Sequence, residues 1–267
     1  MNKIRLNRFP GGRRKALTFS YDDGVSHDRR LVDIFNRYGM KGTFHLNSGT
    51  LNRENNLHGE ELAELFHGHE ISAHSVTHPH LPSLPVETLA WEMLEDRRQL
   101  EQWAGYPVRG MSYPFGTYDD ATVARLPAYG IEYARTVQSH GGFQLPNDWL
   151  RWHPTCHHNQ EILEKADAFL SLPKHHPLRL FYIWGHSYEF NHNNNWELME
   201  RFCEKMAAHH ETVWAATNIA IHDYCEAMRQ IKVSVEGNLA YNPTAIPVWI
   251  EIDGEAVVIE SGEHKRL

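Results

Sequence analysis

The chain repeats one unit: a short apolar strand, an amphipathic helix, then a break. Strands are expected over residues 15–23, 43–47, 70–74, 110–113, 131–137, 179–185 and 213–217. After the first, Leu31, Ile34, Phe35 and Tyr38 recur at helical spacing. After the third, Val86, Leu89, Met93, Leu100 and Trp103 share one face. Gly39, Gly68, Gly105 and Gly130 each follow a helical pattern and precede a strand. Left-handed backbone closes a helix there, and glycine adopts it without steric cost. Seven such units predict an α/β fold with a parallel sheet, closed or nearly closed into a barrel. An open doubly wound sheet is the alternative. No G-x-G-x-x-G follows the first strand, which argues against a dinucleotide site.

Two stretches depart from the repeat. Residues 139–158, rich in Gly, Pro, Trp and His, read as an irregular loop, with 152–158 as a solvated part of it. Beyond residue 230, segments 231–236 and 248–252 alternate apolar and polar residues, and Asp253-Gly254 signals a hairpin turn. The expected division is a barrel over 1–229 and a small antiparallel β appendage over 230–267. That appendage packs on the barrel or serves association into an oligomer.

Composition narrows the function classes. The 267 residues carry a formal net charge of -8, which argues against a general nucleic-acid binder. Cys156, Cys203 and Cys225 are too few and too widely spaced for a disulfide framework or a cysteine zinc site. They read as reduced thiols. The first ten residues lack the apolar core of a signal peptide, and no segment has the length of a membrane span. A cytoplasmic location, with no membrane partner, is the expectation. With 20 histidines, a lone histidine means little.

The polar residues gain meaning from their positions. Asp22-Asp23-Gly24 ends the first strand; His74 ends the third, with His78 four residues on; Pro114-Phe115-Gly116 ends the fourth; Gly185-His186 ends the sixth. In a parallel barrel all C-terminal strand ends open onto one mouth, so these distant residues are expected to converge. Adjacent carboxylates suit a division of labour, one holding a cation and the other accepting a proton. His74 and His78 are spaced to ligate one ion if a helical turn begins there. A His-His-Asp set leaves positions open for water and substrate. It suits zinc first and cobalt or nickel next. Each element alone has a plainer reading as a turn or a core histidine; their joint placement at equivalent strand ends does not.

Four segments, Thr18-Phe19-Ser20-Tyr21-Asp22-Asp23-Gly24, His74-Ser75-Val76-Thr77-His78, Tyr113-Pro114-Phe115-Gly116 and Ile183-Trp184-Gly185-His186, resemble motifs of the polysaccharide deacetylases. This is the NodB-homology family, or carbohydrate esterase family four, and the resemblance runs from about residue 15 to 225. It implies a distorted (β/α)7 barrel and a metal-dependent hydrolase that removes acetyl groups from a carbohydrate, N-acetyl before O-acetyl. By match, Asp22 would be the base that activates water, Asp23, His74 and His78 the metal ligands, and His186 the general acid. The backbone N–H of Phe115 would face the oxyanion. The substrate would be an acetylated sugar or oligosaccharide.

The chain also departs from the family pattern. The family's arginine two residues before the third-motif proline is Ser112 here, and Arg109 and Arg135 are the candidates to replace it. The fourth motif is matched nearest by Asp148-Trp149, with Trp152 as a rival. Tyr113, Pro114, Tyr188 and Glu189 complete the candidate pocket or support residues. Two other functions stay open at this stage. One is a related amide hydrolase, of deformylase or cyclic-ureide hydrolase type. The other is a non-catalytic carbohydrate-binding relative.

Overall fold

A computed structural model describes residues 3–173 and 177–267. The elements run β1 (Ile4–Arg5), β2 (Lys15–Asp22), α1 (Asp28–Arg37), β3 (Gly42–Leu46), α2 (Leu62–Leu65), β4 (Glu70–Ala73), α3 (Val86–Ala104), β5 (Gly110–Ser112), α4 (Asp120–Arg125) and β6 (Tyr133–Arg135). Then come β7 (Cys156–His157), α5 (Ile162–Ser171), β8 (Arg179–Gly185), α6 (Tyr188–His192), α7 (Trp196–Ala207), β9 (Val213–Ala215) and α8 (Asn218–Gln230). Five short strands follow: β10 (Lys232–Val233), β11 (Leu239–Tyr241), β12 (Val248–Ile252), β13 (Glu255–Ile259) and β14 (His264–Arg266).

The main sheet has the order β6-β5-β4-β3-β2-β8-β7, all parallel, with β9 paired to the lower half of β2. Eight parallel strands, the seven expected and the short β7, curl with their helices into a distorted (β/α)7-type barrel. Residues 139–158 are not irregular throughout. Cys156–His157 forms β7 against β8, and Trp152 bridges to Arg135 of β6, so this stretch spans the gap between β6 and β8.

Strand alternation sorts the side chains of β2. Leu17, Phe19 and Tyr21 pack with Leu31, Ile34 and Phe35 of α1 in the layer between sheet and helices. Phe19 lies 4.5 Å from Phe35, and Phe44 4.4 Å from Phe66, centroid to centroid. Truncating either buried Phe19 or Phe44 to Ala would cost about 3–5 kcal/mol. The intervening Thr18, Ser20 and Asp22 are equally buried but meet polar partners inside the barrel. Thr18 Oγ1 donates to Asn218 Oδ1 at 2.8 Å, at the start of α8. The same run of residues therefore builds an apolar outer layer and a polar interior that leads up to Asp22.

Gly39, Gly68, Gly105 and Gly130 all have the positive φ expected of helix-closing glycines, between 66° and 79°. Beyond α8, β12 and β13 form the hairpin signalled by Asp253-Gly254, both at positive φ. The N-terminal β1 pairs antiparallel with β12, so the chain's start joins its end. A second small sheet has the order β10-β11-β14. Tyr224 of α8 ties these pieces to the barrel: its hydroxyl donates to Arg8 O at 2.8 Å and accepts from Trp249 N at 2.9 Å. Among the described residues, no helix is long and apolar enough to cross a membrane.

Candidate active site

Asp22 closes β2, and the chain turns through Asp23 and Gly24 at φ 81° and 62°. Ser75, His78 and Phe115 also have positive φ, at 65°, 60° and 56°. Left-handed backbone is costly for such residues. It persists where surroundings enforce it, and it clusters at functional sites. Two acids one turn apart on α3 do the enforcing at residues 74–78. Asp96 Oδ2 accepts from His74 N at 3.0 Å while its Oδ1 accepts from Ser48 N at 2.8 Å. Glu92 Oε2 accepts from Thr77 N at 2.9 Å. Sequence reasoning missed this pair. The signal was available: two carboxylates lie on the same helix face as Leu89, Met93 and Leu100, where an apolar residue is the rule.

Three donors from two strand ends meet at the mouth. His74 Nε2 lies 3.7 Å and His78 Nε2 3.8 Å from Asp23 Oδ1. The three ligand atoms are all within 4.8 Å of one another, close enough to share one ion. His74 Nδ1 lies 2.8 Å from the carbonyl oxygen of Ser112. A carbonyl only accepts, so Nδ1 carries the proton and Nε2 turns its lone pair toward Asp23. Burial lowers the His74 pKa, which favours the neutral, ligating form. Two nitrogens and one carboxylate oxygen fit a divalent transition metal.

Asp22 is 3 % exposed and faces the same mouth. Ser112 Oγ donates to its Oδ1 at 3.0 Å, and Arg135 Nη2 donates to its Oδ2. Burial pushes the Asp22 carboxyl up, but Arg135 and then His74 outweigh it and hold the group well below the usual carboxylate range. Sheet register explains why Arg135 takes this role. Ser112 of β5 pairs with Arg135 of β6, so the guanidinium enters from the neighbouring strand at the same height. Arg135 is fully buried, also donates to Ser20 Oγ at 3.1 Å, and lies 4.7 Å from the Trp184 ring centroid. Arg109 is the structural cation of the two. It binds Asp223 and Glu132 at the far ends of the strands.

His186 brings its Nε2 to 3.9 Å from Asp23 Oδ2. Its Nδ1 lies 3.1 Å from Glu189 Oε1, one turn along the chain. Burial disfavours the imidazolium, but Glu189, Asp22 and Asp23 together raise the His186 pKa. Glu189 Oε2 in turn lies 3.0 Å from Nε2 of both His157 and His158. His158 is fully buried, stacked between Phe190 and Tyr21, so the solvated-loop expectation for 152–158 fails. Tyr188 tilts over His186 at 5.1 Å, with its phenol pKa pushed up to about 12 by burial and the nearby Asp23.

Other predicted pocket residues lie elsewhere. Asp148 accepts from Leu150 N at 2.9 Å and pairs with Arg151, and Trp149 Nε1 donates to Glu226 Oε1 at 2.6 Å. Trp152 is 1 % exposed and packs edge-on to Tyr133 and Tyr182. These three serve loop and barrel packing rather than His186, whose carboxylate partner is Glu189. The Tyr113 hydroxyl is tied to Leu150 O at 2.7 Å, turned toward the same loop. Pro114 opens the tight turn that carries Phe115. The Phe115 ring lies 4.3 Å from His78 and 4.2 Å from His80.

Comparison with known proteins bears on the fold that carries these residues. The family model described as polysaccharide deacetylase matches residues 10–134. YxkH of Bacillus subtilis, named for the same family, is 23 % identical over 126 residues, or 46 % of this chain. The match spans 45 % of YxkH, less than half of that relative's length. A Mycobacterium smegmatis structure titled for the polysaccharide deacetylases superposes with a TM-score of 0.63 at 16 % identity, covering 85 % of this chain and 96 % of that one. The Xyl-CE4 domain of a multidomain xylanase, from the hindgut metagenome of Trinervitermes trinervoides, gives 0.54 at 16 % identity, covering 80 % and 92 %. At these identities the likeness is one of fold. Residues 10–134 are matched by the family's model and the barrel has the same fold as those structures, so this part of the chain resembles the polysaccharide deacetylases.

Proposed function

We propose that the chain is a metal-dependent deacetylase that hydrolyses an acetyl group from a carbohydrate, N-acetyl in preference to O-acetyl. One observation carries the reading. Asp22, Asp23, His74, His78 and His186 come from three strand ends far apart in sequence, and their reactive atoms face one another at one mouth.

Each residue has a task that its surroundings support. Asp22, kept ionised by Arg135 and Ser112, takes a proton from the attacking water. An aspartate held so acidic is a weak base; a divalent cation held by Asp23, His74 and His78, zinc before cobalt or nickel, would supply acidified water and polarise the acyl carbonyl. The Phe115 backbone N–H, on its strained turn beside His78, is the proposed donor to the developing oxyanion. His186, held at Nδ1 by Glu189, gives its Nε2 proton to the departing amine or alcohol as the bond to the acetyl carbon breaks. Tyr188 forms part of the pocket wall.

Acetate release from a panel of acetylated mono- and oligosaccharides, followed by mass spectrometry, tests the proposal. The parent protein is expected to release acetate, and a chelator to stop it. Asp22→Asn is expected to keep its metal and lose turnover. Undiminished acetate release by Asp22→Asn would remove Asp22 as the base.

A further inference from the structure

At the end of the barrel opposite Asp22, the first residues of β2 and β8 and the β1–β12–β13 sheet border a cavity of about 1080 Å³. Arg8, Arg13, Arg14 and Lys15 line it from the stretch that leads into β2. Lys3 and Arg5 reach it from β1, and Arg179 from the start of β8. Seven cationic side chains thus face three carboxylates, those of Glu211, Glu251 and Asp253. Arg14 and Arg179 have further partners of their own; the other five cations exceed the three carboxylates by two, on a chain whose formal net charge is -8.

Among the described residues, the hydrogen bonds of these five do not neutralise this excess. Glu251, 3 % exposed, is shared by Arg5 at 3.1 Å, Arg8 at 2.8 Å and Arg14. One carboxylate cannot balance the guanidinium groups of both Arg5 and Arg8. Burial, and then the Arg8 charge beside it, lower the Arg14 pKa, as crowding of like charges does. Arg13 donates to the carbonyl oxygens of Pro10 and His210, each at 2.9 Å, and Lys15 to Leu170 O at 2.6 Å. Neither forms a salt bridge among the described residues. Carbonyl oxygens satisfy donors but bring no negative charge. Gathering these cations around a cavity costs folding free energy unless an anion with several acceptor oxygens occupies it. Guanidinium forks match the tetrahedral oxygens of a phosphoryl group.

We propose that this cavity binds a phosphoryl-bearing polyanion. The proposal is independent of the deacetylase reading, and its test needs no turnover. Calorimetric titration with inorganic pyrophosphate, at constant ionic strength balanced by chloride, is expected to show saturable binding. Arg5→Gln/Arg13→Gln, which leaves the Arg8–Glu251–Arg14 cluster in place, is expected to weaken it at least ~10-fold. If that variant melts early, Arg5→Gln alone serves, because the Arg5 side chain is 62 % exposed. Vesicles of phosphatidylglycerol against phosphatidylcholine separate the two sources. Binding to the former, lost in the variant, assigns a lipid headgroup; binding to pyrophosphate without vesicle binding assigns a free phosphorylated solute. Failure of the parent to bind either probe, or equal binding by parent and variant, overturns the proposal.

Discussion

Replacing Arg135 with methionine isolates what holds the proposed base in place. Methionine keeps an unbranched apolar stem against Trp184 but removes the donors to Asp22 Oδ2 and Ser20 Oγ. Asp22 is then a buried carboxylate with Ser112 Oγ as its described donor. Removing one partner of a buried ion pair costs about 3–5 kcal/mol. In the parent, the Asp22 pKa is depressed below its ordinary 3.8, so its contribution to stability is present above that value and lost as pH falls through the folded pKa. In the variant, burial acts without its main counterweight and raises the folded pKa, so stability falls as pH rises. The deficit against the parent should therefore be about 3 kcal/mol near neutral pH and shrink toward pH ~4. For a chain of this size that is a melting shift of roughly 6–12 °C. Calorimetric melts at about pH 5 and about pH 8 read both the size and the sign. Asp22→Asn/Arg135→Met removes the orphaned charge as well and should regain more than half of the loss. A single variant that melts within about 2 °C of the parent at neutral pH, or a double variant whose losses simply add, would refute the reasoning.

Three further outcomes are expected. His74→Ala and His78→Ala should each retain less than about a tenth of the parent's zinc by elemental analysis after dialysis, and parent-like zinc content would exclude the proposed ligand set. Glu189→Gln removes a carboxylate that favours the His186 cation, so kcat should fall roughly 10- to 100-fold and the alkaline limb of its pH profile should move to lower pH; an unmoved limb would mean that Glu189 only packs. Asp28 is fully buried, takes a hydrogen bond from Ser187 Oγ at 2.6 Å, and has its pKa raised by burial to about 8. Its contribution is fully present below its unfolded pKa and is lost as pH rises toward about 8, so Asp28→Asn should gain on the parent in denaturant midpoint between those limits, whereas a constant difference would exclude the raised pKa.

Much of the barrel was legible because its signals are local. The period of two along β2 fixes that Thr18, Ser20 and Asp22 share a face, and the apolar Leu17, Phe19 and Tyr21 fix which face meets the helices. The segment 152–158 was misread because histidine and cysteine say little about burial on their own. Cys156 and His158 are fully enclosed once β7 forms beside β8. Glu189 was marked as a pocket residue. Its three histidine neighbours, His157, His158 and His186, come from two segments whose meeting depends on that pairing.

The sequence by itself determined that carboxylates and imidazoles stand at the C-terminal ends of successive parallel strands, because alternation and helix-closing glycines are written residue by residue. Tertiary structure alone decided which arginine serves Asp22, since strand register sets Arg135 level with Ser112 while Arg109 is drawn to Asp223. It also decided that β1 crosses to β12 and gathers the basic side chains around Glu251 at the far end. Pairing between distant segments is chosen by packing, and no local pattern encodes it.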